Sequence, residues 1–312
     1  MSPTVAAEAT PSAPRSSLPN ALTVDVEDYF HVEAFAGVVP RDRWDSYPLR
    51  VVENTRRVLD LFDRHGVKGT FFVLGWVARK APEIVRDIAR RGHEVGCHSF
   101  WHRRIYRLSP EEFRADLREA TKVIEDAAQT RLRGHRAPSY SVTKDSLWAL
   151  QVLAEEGYAY DSSIFPIRHD IYGMPDFPRS VVRVELDGGA SIVEFPPSTV
   201  RIFGRNLPGP GGGYLRIFPL AYARWALRRI AARDGMPGTV YIHPWEVDPG
   251  QPRIAGPLRS RLRHYTNLAR TQGRLEKLLE EFPFEPMGSV LAAYPPARTV
   301  RRADLGQLPK GR

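Results

Sequence analysis

His98 and His102 stand four positions apart, directly after an apolar segment that reads as a strand. Imidazole nitrogens are common ligands of Zn²⁺, and residues four apart share one face where the chain makes a helical turn. The spacing therefore predicts that both rings can reach one metal ion. Surface or core histidines produce the same spacing, so the pair alone does not establish a metal site.

A second group of chemically capable residues is Asp25, Glu27 and Asp28, at the end of the first apolar segment. Asp25 and Glu27 share one face of a strand because side chains alternate with a period of two. One acid could bind a metal ion while another acts as a general base. A solvated acidic turn would have the same composition.

Three further polar residues each come at the end of an apolar segment. Arg136 lies in GHRAPSYS, and its planar charge could hold a carboxylate. Asp161 ends YAYD, and His243 ends VYIH. Taken singly, each is more often structural, for example a buried histidine held by a carboxylate.

The elements that must position these residues alternate between helix and strand. Three helical patterns end at Gly66, Gly92 and Gly157, and a short apolar segment follows each one. Such alternation predicts a parallel sheet or barrel, whose functional residues gather at the carboxyl ends of the strands. Ser109 and Glu112 have the spacing of a capping box and predict the start of one of the helices.

The composition predicts a folded protein with one large domain. The 312 residues are 42% hydrophobic and include one cysteine, which excludes a disulfide framework and a Cys-based zinc finger. Residues 1–20 predict a disordered leader without a signal peptide, and hence a cytoplasmic protein. We expect a domain over 21–285 with an extension from about 200 to 285, and a disordered basic tail over 297–312.

The formal net charge of +9 permits an anionic partner. Arginines are concentrated after position 200, and a solvated helix face explains most of them. No zinc-finger, RRM or KH signature accompanies the charge, so we expect no nucleic-acid partner. The basic stretch over 258–282 could instead lie on an anionic membrane face.

The order of the five groups, carboxylates, HxxxH, Arg, Asp and His, resembles that of the polysaccharide deacetylases with the NodB-homology domain (carbohydrate esterase family 4). The resemblance covers about residues 20–250. It implies an α/β fold, a distorted (β/α) barrel of the NodB-homology type with a C-terminal family-specific extension. DVEDYFHV, CHSFWH, GHRAPSYS, YDSSIFPIRHDIYG and HPWEVDP are similar to the subgroup associated with exosortase XrtA (PEP-CTERM) exopolysaccharide loci.

The resemblance implies one divalent ion bound by His98, His102 and a carboxylate. The family's usual TFDDG is TVDVED here, so the carboxylate is Glu27 or Asp28, with Glu27 the first choice. Two imidazoles and one carboxylate suit Zn²⁺, and Co, Ni or Fe also fit this ligand type.

The resemblance also assigns roles in the reaction. Asp25, oriented by Arg136, would be the general base, and His243 would protonate the departing amine. Asp161 would be the partner that keeps His243 protonated. A backbone N–H near Tyr140 would stabilise the oxyanion together with the metal.

Four residues are expected to contact the substrate. Tyr140 and Pro138 belong to the arginine motif, while Tyr172 and Trp245 could stack on sugar rings.

The function implied is removal of N-acetyl groups from amino sugars of a polysaccharide or its lipid-linked precursor, in exopolysaccharide biosynthesis. The partners would be an N-acetylated glycan and membrane-associated polysaccharide assembly machinery, at the inner face of the membrane. Two alternatives stay open: an amidase acting on a non-sugar C–N substrate, and a glycan-binding pseudoenzyme. Release of acetate rather than ammonia excludes the first, and bound metal argues against the second.

Overall fold

The first strand begins where the chain becomes rich in β-branched and apolar residues, and all seven of its residues are buried. The computed structural model describes residues 18–306. The strands are β1 Asn20–Val26, β2 Thr70–Val73, β3 Glu94–Cys97, β4 Gly134–His135, β5 Tyr160–Asp161, β6 Val182–Glu185, β7 Ser191–Glu194, β8 Thr199–Ile202, β9 Arg205–Pro208, β10 Thr239–Ile242, β11 Phe284–Glu285 and β12 Arg298–Arg301.

Helices connect most of these strands. They are α1 Val51–Arg64, α2 Gly75–Lys80, α3 Pro82–Arg90, α4 Pro110–Ala128, α5 Trp148–Glu155, α6 Gly212–Ile217, α7 Leu220–Arg229, α8 Leu258–Tyr265, α9 Leu268–Glu281, α10 Met287–Ala293 and α11 Arg302–Leu305. None of the helices between residues 18 and 306 is long and apolar enough to cross a bilayer.

Ten of the strands form one sheet in the order β10-β1-β2-β3-β4-β5-β7-β6-β12, and β11 also pairs with β1. From β10 to β7 all neighbours are parallel. The α/β fold predicted from the sequence is confirmed. The parallel strands agree with a distorted barrel, although the sheet stays open. Strands β8 and β9 form a separate antiparallel pair.

Helix α4 shows how local sequence determines an element. Ser109 Oγ accepts a hydrogen bond from the Glu112 N–H, and Glu112 accepts one from the Ser109 N–H, so the predicted capping box is confirmed. The helix then buries the apolar residues that recur at helical spacing, and each large one contributes about 1.5–3 kcal/mol on burial. These residues are Phe113, Leu117, Ala120 and Ile124.

The predicted disordered tail over 297–312 is wrong in its first part. Strand β12 pairs in parallel with β6, and Leu305 of α11 is buried. The domain also continues past 285, because α10 packs on the sheet and the Met287 N–H bonds to Thr70 Oγ1. Of the predicted leader, Asn20 belongs to β1. Residues 1–17 and 307–312 lie outside the described residues.

Candidate active site

The carboxyl ends of β1, β3, β4 and β10 meet at one edge of the sheet, as parallel strands require. A cavity of about 360 Å³ opens there. Its floor consists of side chains at or just after the ends of these strands, and its outer wall comes from residues 32–34 and from loops and helices after residue 169. The floor residues are Asp25, Glu27, His98, His102 and His243.

Glu27, His98 and His102 form a group that can hold a metal ion, since one ligand atom from each lies within 4.8 Å of the others. His102 Nε2 is 2.6 Å and His98 Nε2 is 4.0 Å from Glu27 Oε2. His98 Nδ1 donates to the Arg136 carbonyl at 2.8 Å, which leaves Nε2 as the ligand atom. Oε2 of Glu27 is buried and accepts no hydrogen bond, as expected of a ligand oxygen.

Electrostatics in this group favour an ionised Glu27 carboxylate and a neutral His98 imidazole. Burial alone would raise the pKa of Glu27, but His102, His243 and His98 together hold it well below its usual range. Burial lowers the pKa of His98 to about 4. A carboxylate and neutral imidazoles are the protonation states in which these groups bind metals.

The two histidines are brought together by a strained loop, which corrects the expected helical turn. Residues 98–102 have no regular structure, and Ser99 and His102 have φ of 61° and 49°. Positive φ is costly for residues other than glycine and is often retained at functional sites. The carboxylate of Asp116 supports the loop, since it accepts the Phe100 N–H at 2.7 Å.

Asp28, the alternative ligand, is engaged elsewhere. Its Oδ2 accepts the N–H groups of Arg50 and Val51 at 2.7 and 2.8 Å, at the start of α1. Its Oδ1 accepts the Tyr29 N–H at 2.9 Å. Asp28 therefore caps a helix and is absent from the metal-binding group found among the described residues, in which Glu27 supplies the carboxylate.

Asp25 is held by a fully buried arginine. Arg136 Nη1 donates to Asp25 Oδ1 at 2.8 Å and to Thr23 Oγ1 at 2.7 Å. Ser162 accepts from the other side of the guanidinium. The second oxygen of Asp25 is 3.9 Å from His243 Nε2, so the structure brings together the three residues that the sequence analysis linked.

His243 does not pair with Asp161. Its Nδ1 is 3.1 Å from Glu246 Oε2, and Glu246 Oε1 accepts from Arg216 Nε at 2.5 Å. Burial lowers the pKa of His243, but Glu246, Glu27 and Asp25 outweigh burial and raise it to about 9. His243 is thus positioned as a cationic proton donor. Sequence reasoning missed Glu246 and Arg216, although the three-residue spacing in HPWE was a usable signal.

Asp161 lies several strands away, which explains the wrong pairing. Strands β4 and β5 are neighbours, and His135 stands opposite Asp161 in their register. His135 Nδ1 lies 2.8 Å from Asp161 Oδ1, which also accepts from Ser163 Oγ at 2.6 Å. Strand β10, which carries His243, lies on the far side of β1.

Tyr140 lines the cavity, but its backbone N–H is not available for an oxyanion because it donates to the Ala137 carbonyl at 3.1 Å. The Tyr140 hydroxyl is buried and has no hydrogen-bond partner among the described groups. Ser139 and Tyr140 have φ of 55° and 51°, so this turn is strained like the histidine loop. The hydroxyl is the available donor at this position.

The other three residues expected to contact the substrate differ in whether they line the cavity. Tyr172 lines the cavity, and its hydroxyl is 3.2 Å from that of Tyr214. Pro138 is buried, and its carbonyl accepts from Ser141 Oγ at 2.6 Å. Trp245 also lines the cavity, but its Nε1 donates to Glu27 Oε1 at 3.2 Å, so it orients the carboxylate of the metal group.

Two family models match this chain. Residues 43–160 match Polysaccharide deacetylase, and residues 162–292 match Domain of unknown function (DUF3473). The first range contains His98, His102 and Arg136, and the second contains His243. Asp25 and Glu27 precede both ranges.

Curated relatives share the first part of the chain. A peptidoglycan-N-acetylglucosamine deacetylase of Bacillus cereus is 32% identical over 101 residues, which cover 32% of this chain and 37% of the relative. A chitooligosaccharide deacetylase of Bradyrhizobium sp. is 32% identical over 105 residues, which cover 34% of this chain and 46% of the relative. The chain therefore spans less than half the length of either relative.

The fold has a solved counterpart along most of the chain. The crystal structure of a Mycobacterium smegmatis protein assigned to the polysaccharide deacetylases has a TM-score of 0.56 and 21% identity. The alignment covers 92% of this chain and 94% of that one. Residues 43–160 thus match the polysaccharide deacetylase model and lie in the part of the chain that the curated relatives share, and the solved structure shares the fold.

Proposed function

We propose that this protein is a metal-dependent hydrolase that removes N-acetyl groups from the amino sugars of a polysaccharide or its lipid-linked precursor. The observation that carries the proposal is one cavity floor on which Glu27, His98 and His102 adjoin the Asp25 carboxylate and the His243 imidazole. This set contains a group that could bind a metal, a base and an acid, all facing the cavity in which the amide bond of the substrate would lie.

A divalent ion bound by Glu27, His98 and His102 would polarise an acetamide carbonyl and make water more acidic. Two imidazoles and one carboxylate suit Zn²⁺, and Co, Ni or Fe are compatible with the same donors. Trp245 and the Arg136 carbonyl hold Glu27 and His98 in place.

The chain's own residues supply the proton transfers. Asp25 accepts the proton of the attacking water, and Arg136 fixes the carboxylate that does so. His243 donates a proton to the departing sugar nitrogen, and Glu246 favours its protonated form. The Tyr140 hydroxyl, which is buried without a partner among the described groups, would donate to the developing oxyanion. The products are acetate and a free amino sugar.

Two further parts of the proposal rest on the sequence. The similarity of the motifs to the exosortase XrtA-associated subgroup supports a role in exopolysaccharide biosynthesis beside membrane-associated assembly machinery. A cytoplasmic location, peripheral at the inner face of the membrane, stays a prediction. Fractionation of lysed cells at low salt tests it, and recovery of all the protein apart from the membranes would count against peripheral attachment.

The first experiment is to measure metal per chain in the wild type and in His98→Ala, purified without a chelating tag. We expect about one divalent ion in the wild type and loss of both metal and turnover in His98→Ala, since the triad loses one of three ligands. His65→Ala is the matched control, because His65 follows α1 and does not line the cavity.

Product analysis on N-acetylglucosamine oligomers then separates the alternatives. Acetate release supports the proposal, while ammonia release from a non-sugar amide would support the amidase. A wild type that takes up no metal even after reloading would overturn the hydrolase mechanism and favour a glycan-binding pseudoenzyme.

A further inference from the structure

Helix α8 forms part of the outer wall of the cavity. Arg259, Ser260, Arg263 and His264 all line the cavity, as expected for positions three and four apart on one helix face. Arg261 is exposed and does not line the cavity. All three arginines of the helix are exposed, and Arg259 and Arg263 are the two that line the cavity.

The two arginines facing the cavity carry charge without a carboxylate partner. Between residues 18 and 306, neither guanidinium lies within ion-pair distance of an acidic side chain. Arg263 Nη2 is 3.3 Å from His169 Nε2, and burial and Arg263 both lower the pKa of this histidine. Arg263 therefore contacts an imidazole and not a carboxylate.

The other charges of the cavity are largely committed to partners. Asp25 is paired with Arg136, and Arg216 is paired with Glu246. The Glu33 carboxylate is paired with Arg104, which is outside the lining. Asp170 lies 3.0 Å from His169 Nδ1 and is mostly exposed. Asp170 also lines the cavity, so the α8 side carries the charges of Arg259 and Arg263 together with one solvated carboxylate, and its net charge is positive.

The segment that faces α8 across the His169 contact is aromatic. His169 stacks on Tyr172 with a centroid distance of 3.9 Å and an interplanar angle of 8°. Tyr172 also stacks on Phe165, so three rings of this segment lie nearly parallel. A sugar ring can lie on such a surface while an attached anionic group reaches the arginines.

We infer that the cavity takes an anionic saccharide, in which a carboxylate or phosphate on or next to the acetylated sugar binds Arg259 and Arg263. The planar guanidinium presents paired donors that match both kinds of oxyanion. The inference rests on the proposed function, since it names the substrate class of the same site.

The test compares three acetylated substrates at low and high salt. The neutral one is an N-acetylglucosamine tetramer. The carboxylate one is a tetrasaccharide of alternating N-acetylglucosamine and glucuronic acid, and the phosphate one is a nucleotide diphosphate-linked N-acetylglucosamine. We expect kcat/KM for at least one anionic substrate to exceed that for the neutral tetramer by about 10-fold at low salt, and less at high salt.

The variants are the double substitution Arg259→Gln with Arg263→Gln, and Arg261→Gln as the control from the same helix. The double variant is expected to lose the preference for the anionic substrate, through a higher KM. Arg261→Gln is expected to keep the preference, since it removes the same charge from the solvent side. Equal rates on all three substrates, or equal losses in both variants, would overturn the inference.

Binding of the two anionic compounds is measured separately by calorimetry. Failure to release acetate from any substrate would overturn the proposed function, whereas binding that is lost only in the double variant would still support the anionic site. Activity without any charge preference would overturn the inference alone.

Discussion

Besides the group that could hold a metal, two histidine–carboxylate pairs near the carboxyl ends of this sheet differ in what else they can reach. His135 and Asp161 are both fully buried, with 2.8 Å between His135 Nδ1 and Asp161 Oδ1. In the second pair, His243 Nδ1 lies 3.1 Å from Glu246 Oε2. The His243 side chain is 18% exposed and lines the cavity.

The surroundings of the two rings explain the difference. His135 packs against Phe113 and Tyr158, and its Nε2 has no partner among the described groups. His243 Nε2 lies 3.9 and 3.8 Å from carboxylate oxygens of Asp25 and Glu27. The same pair of groups is therefore a structural contact where it is enclosed by aromatic rings, whereas the pair that faces other charges is the proton donor of the proposed reaction.

Substituting the two histidines gives the sharpest test of this comparison. His243→Gln should lower kcat by roughly 100-fold or more, because the departing amine loses its acid. Metal content should stay at the wild-type value, because His243 is not part of the group that can bind metal. His135→Gln should lower the free energy of unfolding but keep kcat within a few-fold. A normal rate in His243→Gln would remove its role as the acid.

The pH dependence of stability distinguishes the two environments in the metal-free protein. The pKa of His243 is raised from 6.5 to about 9, so its contribution to stability is fully present below about pH 6.5 and is lost as the pH rises through about 9. That contribution amounts to roughly 3 kcal/mol at most. Urea unfolding at several pH values should show the wild type converging on His243→Gln toward pH 9. Parallel curves would contradict the raised pKa.

Trp245 contacts both the proposed acid and the metal group, since it stacks on His243 and donates a hydrogen bond to Glu27. Trp245→Phe keeps a ring that can stack on His264 but removes the N–H donated to Glu27. We expect metal affinity to fall by about 10- to 100-fold, as for other hydrogen bonds that orient a ligand. Competition with a chelator measures this change. Trp225→Phe on α7 is the control, and an equal loss there would point to general destabilisation.

Much of the chemistry could be predicted from the sequence because it depends on local patterns. The box at Ser109 and Glu112 needs only four consecutive residues. The polar residues that end apolar segments identify the edge of a parallel sheet at which they meet. His98 and His102 do lie together in the group that could hold a metal ion, although a strained loop rather than a helix brings them together.

The two wrong predictions, the partner of Asp161 and the disorder of Arg298–Arg301, have the same physical cause. Both depend on which strands pair in the sheet, and these strands are distant in sequence. The resemblance implied Asp161 as the partner of His243, but the register of β4 and β5 places Asp161 opposite His135. The polar segment Arg298–Arg301 carries no apolar pattern, and it becomes a strand only because β6 offers a free edge. Neither pairing is encoded in the local sequence.

Asp161→Ala is the variant with the smallest expected effect on catalysis. The substitution removes the acceptor of His135 and of the Ser163 hydroxyl, so the free energy of unfolding should fall by about 1–2 kcal/mol. Because Ser163 also receives the Ala137 N–H next to Arg136, a few-fold change in kcat is expected. The alkaline limb of the activity profile should not move, since Glu246 and not Asp161 contacts His243. A shift of that limb toward lower pH in Asp161→Ala would mean that the two histidine pairs are electrostatically coupled and that their separation into structural and catalytic pairs is wrong.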